Sequence, residues 1–147
     1  MIDPMPGGPM LKITYNMRRL PHLSREEFQT YYRKNHTRVL QPDQVEQLGM
    51  RRYVQLHALS EDQCAKLDNG RGGDESFDAV AEIWLDDYDF YLENWWSDKG
   101  QEALKALMDD EQNFIDWSRS VMTCYRELVF VDGPSTPAPT PPTPTGK

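Results

Sequence analysis

At 147 residues the chain is long enough for one domain with a substantial hydrophobic core. Its formal net charge of −8 argues against a general nucleic-acid binder, which needs a basic surface to neutralise phosphates. Two widely spaced cysteines, Cys64 and Cys124, read as free thiols. His22, His36 and His57 lack the spacing of a metal site, so none is expected.

In chain order, residues 1–10 are a Pro/Gly-containing flexible lead without the apolar run of a signal peptide. Leu11 to Arg18 alternates, with Ile13, Tyr15 and Met17 on one face and Lys12, Thr14, Asn16 and Arg18 on the other. This predicts a strand. Arg19 to His22 turns the chain into a helix, whose start is marked by Ser24 followed three residues later by Glu27, a capping box. Leu23 and Phe28 form the matching hydrophobic staple. The helix is expected to reach Gln41 and stop before Pro42. Phe28, Tyr32 and His36 fall on one face of it at four-residue spacing, so an aromatic face ends in an imidazole. That imidazole is the first candidate for chemistry; its bland alternative is a cation at the negative end of the helix dipole.

Asp43 to Leu48 adds a short turn closed by Gly49. Met50 to Ala58 is the second strand, with Tyr53, Gln55 and His57 on one face and Val54 and Leu56 on the other. Residues 60–73 are polar and end in a Gly-rich loop that lacks the setting of a phosphate-binding loop, so a mobile surface connection is expected. Phe77 to Leu85 is the third strand, with Glu82 set among apolar neighbours, where a buried carboxylate needs a partner, water or a task. Asp86-Asp87 caps a helix carrying Phe90, Tyr91 and Trp95. Ser97 starts another, with Ala103, Leu104 and Leu107 at helical spacing. Val121 to Val131 is the last strand, and the Pro/Thr-rich residues 133–147 form a disordered tail. The folded domain is thus expected over 11–132. No stretch approaches the roughly 20 apolar residues of a membrane-spanning helix, and cytoplasmic residence is expected.

The order strand, helix, strand, strand, helix, strand predicts an α+β, ferredoxin-like βαββαβ fold with a four-stranded antiparallel sheet. On this reading the helices cover Ile13, Val54, Leu56, Ala81 and Ile83. Thr14, Asn16, Tyr53, Gln55, His57, Val80, Glu82, Trp84, Tyr125 and Glu127 then make the opposite face. That face is too aromatic for open water and too polar for a dry core, which implies a dimer interface, a ligand cavity, or both.

Four pieces of the sequence carry a family resemblance: Leu23 to Phe28 with the later Asn35-His36; Tyr53 to His57; Phe77 to Trp84; and Asp110-Glu111 with Phe114. Together the chain resembles the EthD family of dimeric α+β barrels over residues 11–132. The resemblance implies a homodimeric barrel and a cofactor-independent enzyme on an aromatic or polyketide-like substrate, working by decarboxylation, dehydration or cyclisation. In that reading His36 is the acid or base, Tyr53 a donor to a developing enolate, and Glu82 an orienting or proton-exchanging carboxylate. Asn16, Gln55, His57, Trp84 and Tyr32 line the substrate. For Glu82 a satisfied polar network at the dimer interface is the equal alternative, and for His57 a structural role is favoured. The competing functions are a non-catalytic small-molecule-binding or accessory protein and a haem-binding barrel, the latter suggested by Asn16 and Trp84 with an axial His. The catalytic reading carries a geometric condition: His36 must reach the pocket and not bulk water.

Overall fold

The computed structural model describes residues 10–134. The expected lead and tail therefore lie outside the described residues, apart from residues 10, 133 and 134. Four strands form one antiparallel sheet: β1 (Leu11–Met17), β2 (Arg52–His57), β3 (Ala79–Leu85) and β4 (Val121–Tyr125), in the spatial order β2-β3-β1-β4. That is the ferredoxin-like arrangement, with both crossover connections on one face.

The first crossover begins at the capping box. Ser24 Oγ accepts from the Glu27 N–H at 3.0 Å and Glu27 Oε1 accepts from the Ser24 N–H at 2.9 Å. The helix α1 spans Arg25–Lys34 and not the full stretch to Gln41. At Asn35 the backbone leaves the α-helix and tightens into a 3-10 turn, His36–Val39, with Thr37 Oγ1 donating to the Arg33 carbonyl. The break matters because it sets the direction of the His36 ring. Ser24→Ala is expected to cost about 1 kcal/mol, read as a lower urea midpoint with an unchanged m-value; a midpoint equal to wild type would show the cap to be idle.

Pro42 opens a further helix, α2 (Pro42–Leu48), longer than the short turn expected, and Gly49 closes it in the left-handed conformation at φ +62°. The polar segment after β2 is not all loop: Ser60 and Gln63 make another capping box, and α3 spans Glu61–Asp68. After β3 come α4 (Tyr88–Trp95) and α5 (Asp98–Glu111), as the periodicity predicts. Gly100 lies against the carbonyls of Asn94 and Trp95, where a Cβ would collide with backbone. The last strand is shorter than expected. Lys12↔Tyr125 is the final pair because β1 begins at Leu11, so residues after Tyr125 have no partner backbone.

The largest correction concerns β2. Tyr53 pairs with Ile83, Gln55 with Ala81 and His57 with Ala79, and Ile13 pairs with Ile83. Because side chains alternate, Tyr53, Gln55 and His57 share the helix-covered face, while Val54 and Leu56 stand on the open one. The polar groups are satisfied inward by a chain of hydrogen bonds. Tyr32 and Tyr53 hydroxyls meet at 2.7 Å, Gln55 Nε2 donates to the Tyr53 hydroxyl at 3.1 Å, and Gln55 Oε1 lies 2.8 Å from His57 Nε2. Polar groups bonded to one another cost far less to bury than unpaired ones, which lets Tyr53, Gln55 and His57 turn inward in place of Val54 and Leu56.

The core has two parts. One gathers Ile13, Leu48, Ile83, Leu85, Trp95, Ala103 and Leu107; the other gathers Met17, Phe28, Tyr32, Ala79, Ala81, Phe114 and Ile115. Tyr53 packs against both, at the place where the candidate site opens.

Candidate functional site

Between the sheet and the helices lies a cavity of about 70 Å3. Its apolar wall includes Met17, Leu40, Met50, Ile83, Trp95, Leu107, Ile115 and Met122, and its polar groups are Tyr15, Tyr32, His36, Thr37, Tyr53 and Glu111. His36 is only 9% exposed, so the imidazole does not point to bulk water. It is wedged between Tyr32 and Phe114, at ring distances of 5.9 and 5.1 Å.

His36 Nδ1 lies 2.7 Å from Asp110 Oδ2, near the end of α5. The other oxygen, Oδ1, accepts from the Tyr31 hydroxyl at 2.7 Å and from Asn113 Nδ2 at 3.3 Å. Burial works to raise the Asp110 carboxyl, but the hydrogen bonds from Tyr31, His36 and Asn113 outweigh it and hold it below its ordinary value. An ionised carboxylate only accepts, so Nδ1 must carry the proton. Burial in turn holds the His36 imidazole below its ordinary value, against the opposing pull of Asp110. The ring is therefore neutral at pH 7, with its lone pair on Nε2, for which the described residues supply no hydrogen-bond partner. A carboxylate that fixes the tautomer of a buried, unprotonated imidazole leaves a base ready for a ligand.

Tyr53 is the neighbouring polar group. Burial pushes its phenol, and that of Tyr32, up from their ordinary values, so both stay protonated. When Tyr32 donates to Tyr53 and Gln55 donates as well, the Tyr53 oxygen is an acceptor twice and its own O–H is free for the cavity. Gln55 and His57 continue this chain toward the sheet edge, where burial and the nearby Arg33 charge hold the His57 imidazole below its ordinary value.

The remaining candidates are separated from this group by the sheet. Asn16, Glu82 and Trp84 stand on the open face, in register with Val80, Thr14 and Lys12. Glu82 has the partner it needs in Lys12, whose Nζ is 2.7 Å away. Lys12 and Arg52 both lie over the Trp84 ring, at 4.6 and 4.8 Å. Asn16 and Trp84, the residues that suggested haem, stand on the opposite face of the sheet from His57 and from the cavity that His36 lines.

Asp110, Glu111 and Tyr15 are among the residues of the cavity region for which no role was read from the sequence. Asp110 meets His36 across 74 positions of chain, which no local spacing can reveal. Tyr15 reads simply as an apolar strand residue. A wider hollow, about 780 Å3, lies elsewhere, around Arg18, Arg19, Arg25 and Arg119. These arginines are engaged by Asp74, Glu61, Asp78 and Glu75, so this surface is a set of ion pairs and not a basic patch.

Fold and site define a ferredoxin-like α+β protein with a His–Asp dyad set in a small cavity between sheet and helices. The EthD domain family matches residues 20–118, and the chain belongs to that family. An EthD family protein from Bacillus halodurans shares the fold, with 15% identity, a TM-score of 0.51, and 81% of this chain and 99% of that one covered. An EthD-like protein from Ralstonia eutropha gives 14% identity and a TM-score of 0.50 over 84% of this chain and 96% of that one. HapK from Hahella chejuensis gives 10% and 0.50 over 86% and 99%. None of the curated proteins compared matches the sequence. Among the described residues no helix is long and apolar enough to cross a membrane, and no group of three or more His, Cys, Asp or Glu side chains is placed to hold a metal ion.

Proposed function

We propose that the chain is a cofactor-independent acid/base enzyme acting on an aromatic or polyketide-like carbonyl compound. The observation that carries this reading is the buried, neutral His36, oriented by Asp110 at 2.7 Å, with its free Nε2 beside an apolar cavity. In the proposed step Nε2 removes a proton from a carbon next to a carbonyl group, and the free Tyr53 hydroxyl donates a hydrogen bond to the oxygen as charge develops there. Decarboxylation, dehydration and cyclisation all draw on this set of groups.

The cavity is tight. A dry cavity of about 150 Å3 is needed to hold a benzene ring, so an aromatic substrate enters only if the wall gives way. Met17, Met50 and Met122 are the adaptable side chains that line it. The test is turnover of a panel of aromatic β-keto compounds by wild type and His36→Ala. Turnover lost in the variant while binding persists supports catalysis; binding without turnover by either protein points to the accessory role instead.

We further infer a homodimer in which a second copy covers the open sheet face. Leu56, Val121 and Tyr125 are 45%, 50% and 45% exposed on that face, apolar surface that a second copy would cover. Sedimentation is expected to give twice the 17.1 kDa chain mass, and Leu56→Glu to shift it to one chain. A wild-type monomer at tens of micromolar concentration would defeat the assignment.

A further inference from the structure

One group of the cavity is left without a task by the step above. Glu111 is the last residue of α5, directly after the Asp110 that orients His36. Its side chain lines the same cavity, beside Tyr15, and is held by the Trp117 indole N–H, which donates to Oε1 at 3.1 Å. The two neighbouring carboxylates are thus divided by position: one touches the base from behind, the other enters the space where a ligand sits.

The environment of Glu111 favours the protonated form more than water does. Burial raises its carboxyl above the ordinary value, with the adjacent Asp110 charge acting in the same direction and the Trp117 and Tyr15 side chains opposing. No lysine or arginine lines the cavity to hold it ionised, and the other titratable groups there, Tyr15, Tyr32, Tyr53 and His36, are neutral at pH 7. The chemistry also leaves a place for it. A buried Tyr53 phenol, pushed up from its ordinary value, donates a hydrogen bond but is a poor source of a whole proton.

We infer that Glu111 is a second proton-exchanging residue of this cavity, handing its proton to the carbonyl oxygen of an uncharged substrate whose neighbouring carbon is deprotonated by His36. This rests on the reading of His36 as the base and narrows it to a substrate class. The C–H electron pair becomes the C=C bond, the carbonyl π pair moves to oxygen, and the oxygen takes the Glu111 proton. The products are the enol, an imidazolium at His36 and a carboxylate at Glu111. Where the substrate carries a β-hydroxyl, the imidazolium protonates it as it leaves, and Glu111 retakes the enol proton. One water is lost, and both residues return to their starting states.

The same lining disfavours an anionic substrate. A β-keto acid brings a carboxylate that would be stripped of water with no cation in the cavity lining to meet it. Among the three reactions that the His36 site allows, dehydration or enol-forming rearrangement of a neutral carbonyl compound is therefore favoured over decarboxylation.

The test uses acetophenone as a neutral probe and follows loss of its methyl proton signal in deuterium oxide by NMR. Wild type is expected to accelerate exchange, and Glu111→Gln, which keeps the size of the side chain and its Trp117 contact, to slow it about a hundredfold. Exchange at the wild-type rate in Glu111→Gln while His36→Asn is slow overturns the role of Glu111 and leaves the His36 reading standing. No acceleration by wild type, or none lost in His36→Asn, removes the His36 reading and this inference with it. A second measurement does not depend on the variant's folding. The infrared carbonyl band of a protonated carboxylic acid is expected in wild type at neutral pH, and its absence overturns the proposal. For substrate charge, methyl benzoylacetate is expected to slow the exchange and benzoylacetate not to; equal inhibition by both overturns that part.

Discussion

Asp110→Asn is expected to slow His36-dependent proton exchange about a thousandfold while the chain stays folded. The carboxylate is an acceptor only, so it fixes the proton on Nδ1 and leaves the Nε2 lone pair for the cavity. An amide in its place can turn its N–H toward Nδ1, and the ring then holds its proton on Nε2, where it cannot act as a base. The pH profile separates this positioning role from mere packing. Burial holds the His36 imidazole below its ordinary 6.5, while Asp110 pulls it upward. The proposed step needs the neutral ring, so wild-type activity is expected to fall as pH drops through that lowered pKa. Without the Asp110 charge the acid limb is expected to move to still lower pH, which loss of packing alone would not do. Stability carries the same sign. A folded His36 binds its proton less readily than an unfolded one, so its contribution is present above about pH 6.5 and is lost as pH falls through the folded pKa. An acid limb that stays in place in Asp110→Asn would remove Asp110 from the mechanism.

The sequence of strands along the chain and the start of the first helix were legible because their signals are local. Ser24 and Glu27 predict a cap that forms as written, and Pro42 and Gly49 bracket α2 through their own backbone preferences. The face of β2 was not legible, since alternation separates Tyr53, Gln55 and His57 from Val54 and Leu56 but does not say which set turns inward. Apolarity favours the second set; the bonded chain from Tyr32 to His57 decides for the first. That reversal splits the expected site. His36, Tyr32 and Tyr53 come together, whereas Glu82 is left with Lys12 on the open face. The carboxylate at the imidazole belongs instead to α5. Asp110 and Glu111 look like an ordinary charged helix end, and only the packing of α5 against the 3-10 turn shows that one holds the imidazole and the other enters the cavity.

Asp78→Ala is expected to give a large loss of stability, about 3 kcal/mol, or roughly 10 °C in the thermal midpoint. Asp78 precedes β3, and its carboxylate is 3% exposed. Oδ2 accepts from the Arg19 backbone N–H at 2.8 Å, and Oδ1 accepts from Arg19 Nη1 at 2.5 Å and Arg25 Nε at 2.9 Å. Arg25 opens α1 and also reaches the Leu59 carbonyl at 2.7 Å and Ser76 Oγ at 2.9 Å. One carboxylate therefore ties the end of β1, the start of α1 and the approach to β3. Truncating it leaves the Arg25 guanidinium, itself only 11% exposed, without its countercharge, and that orphaned cation is what makes the loss large. Asp78→Asn keeps the shape and one acceptor oxygen, so it is expected to lose less, about 1–2 kcal/mol. Because the pair is shielded from water, raising the salt concentration should leave the wild-type to variant difference nearly unchanged, unlike an exposed pair such as Lys105–Asp109. The His36 dyad is attached beyond the other end of α1, so the folded fraction of Asp78→Ala should exchange acetophenone protons at the wild-type rate. A loss below about 1 kcal/mol, the scale of an exposed ion pair, would mean that Arg25 finds other partners and that α1 is held by its aromatic face alone.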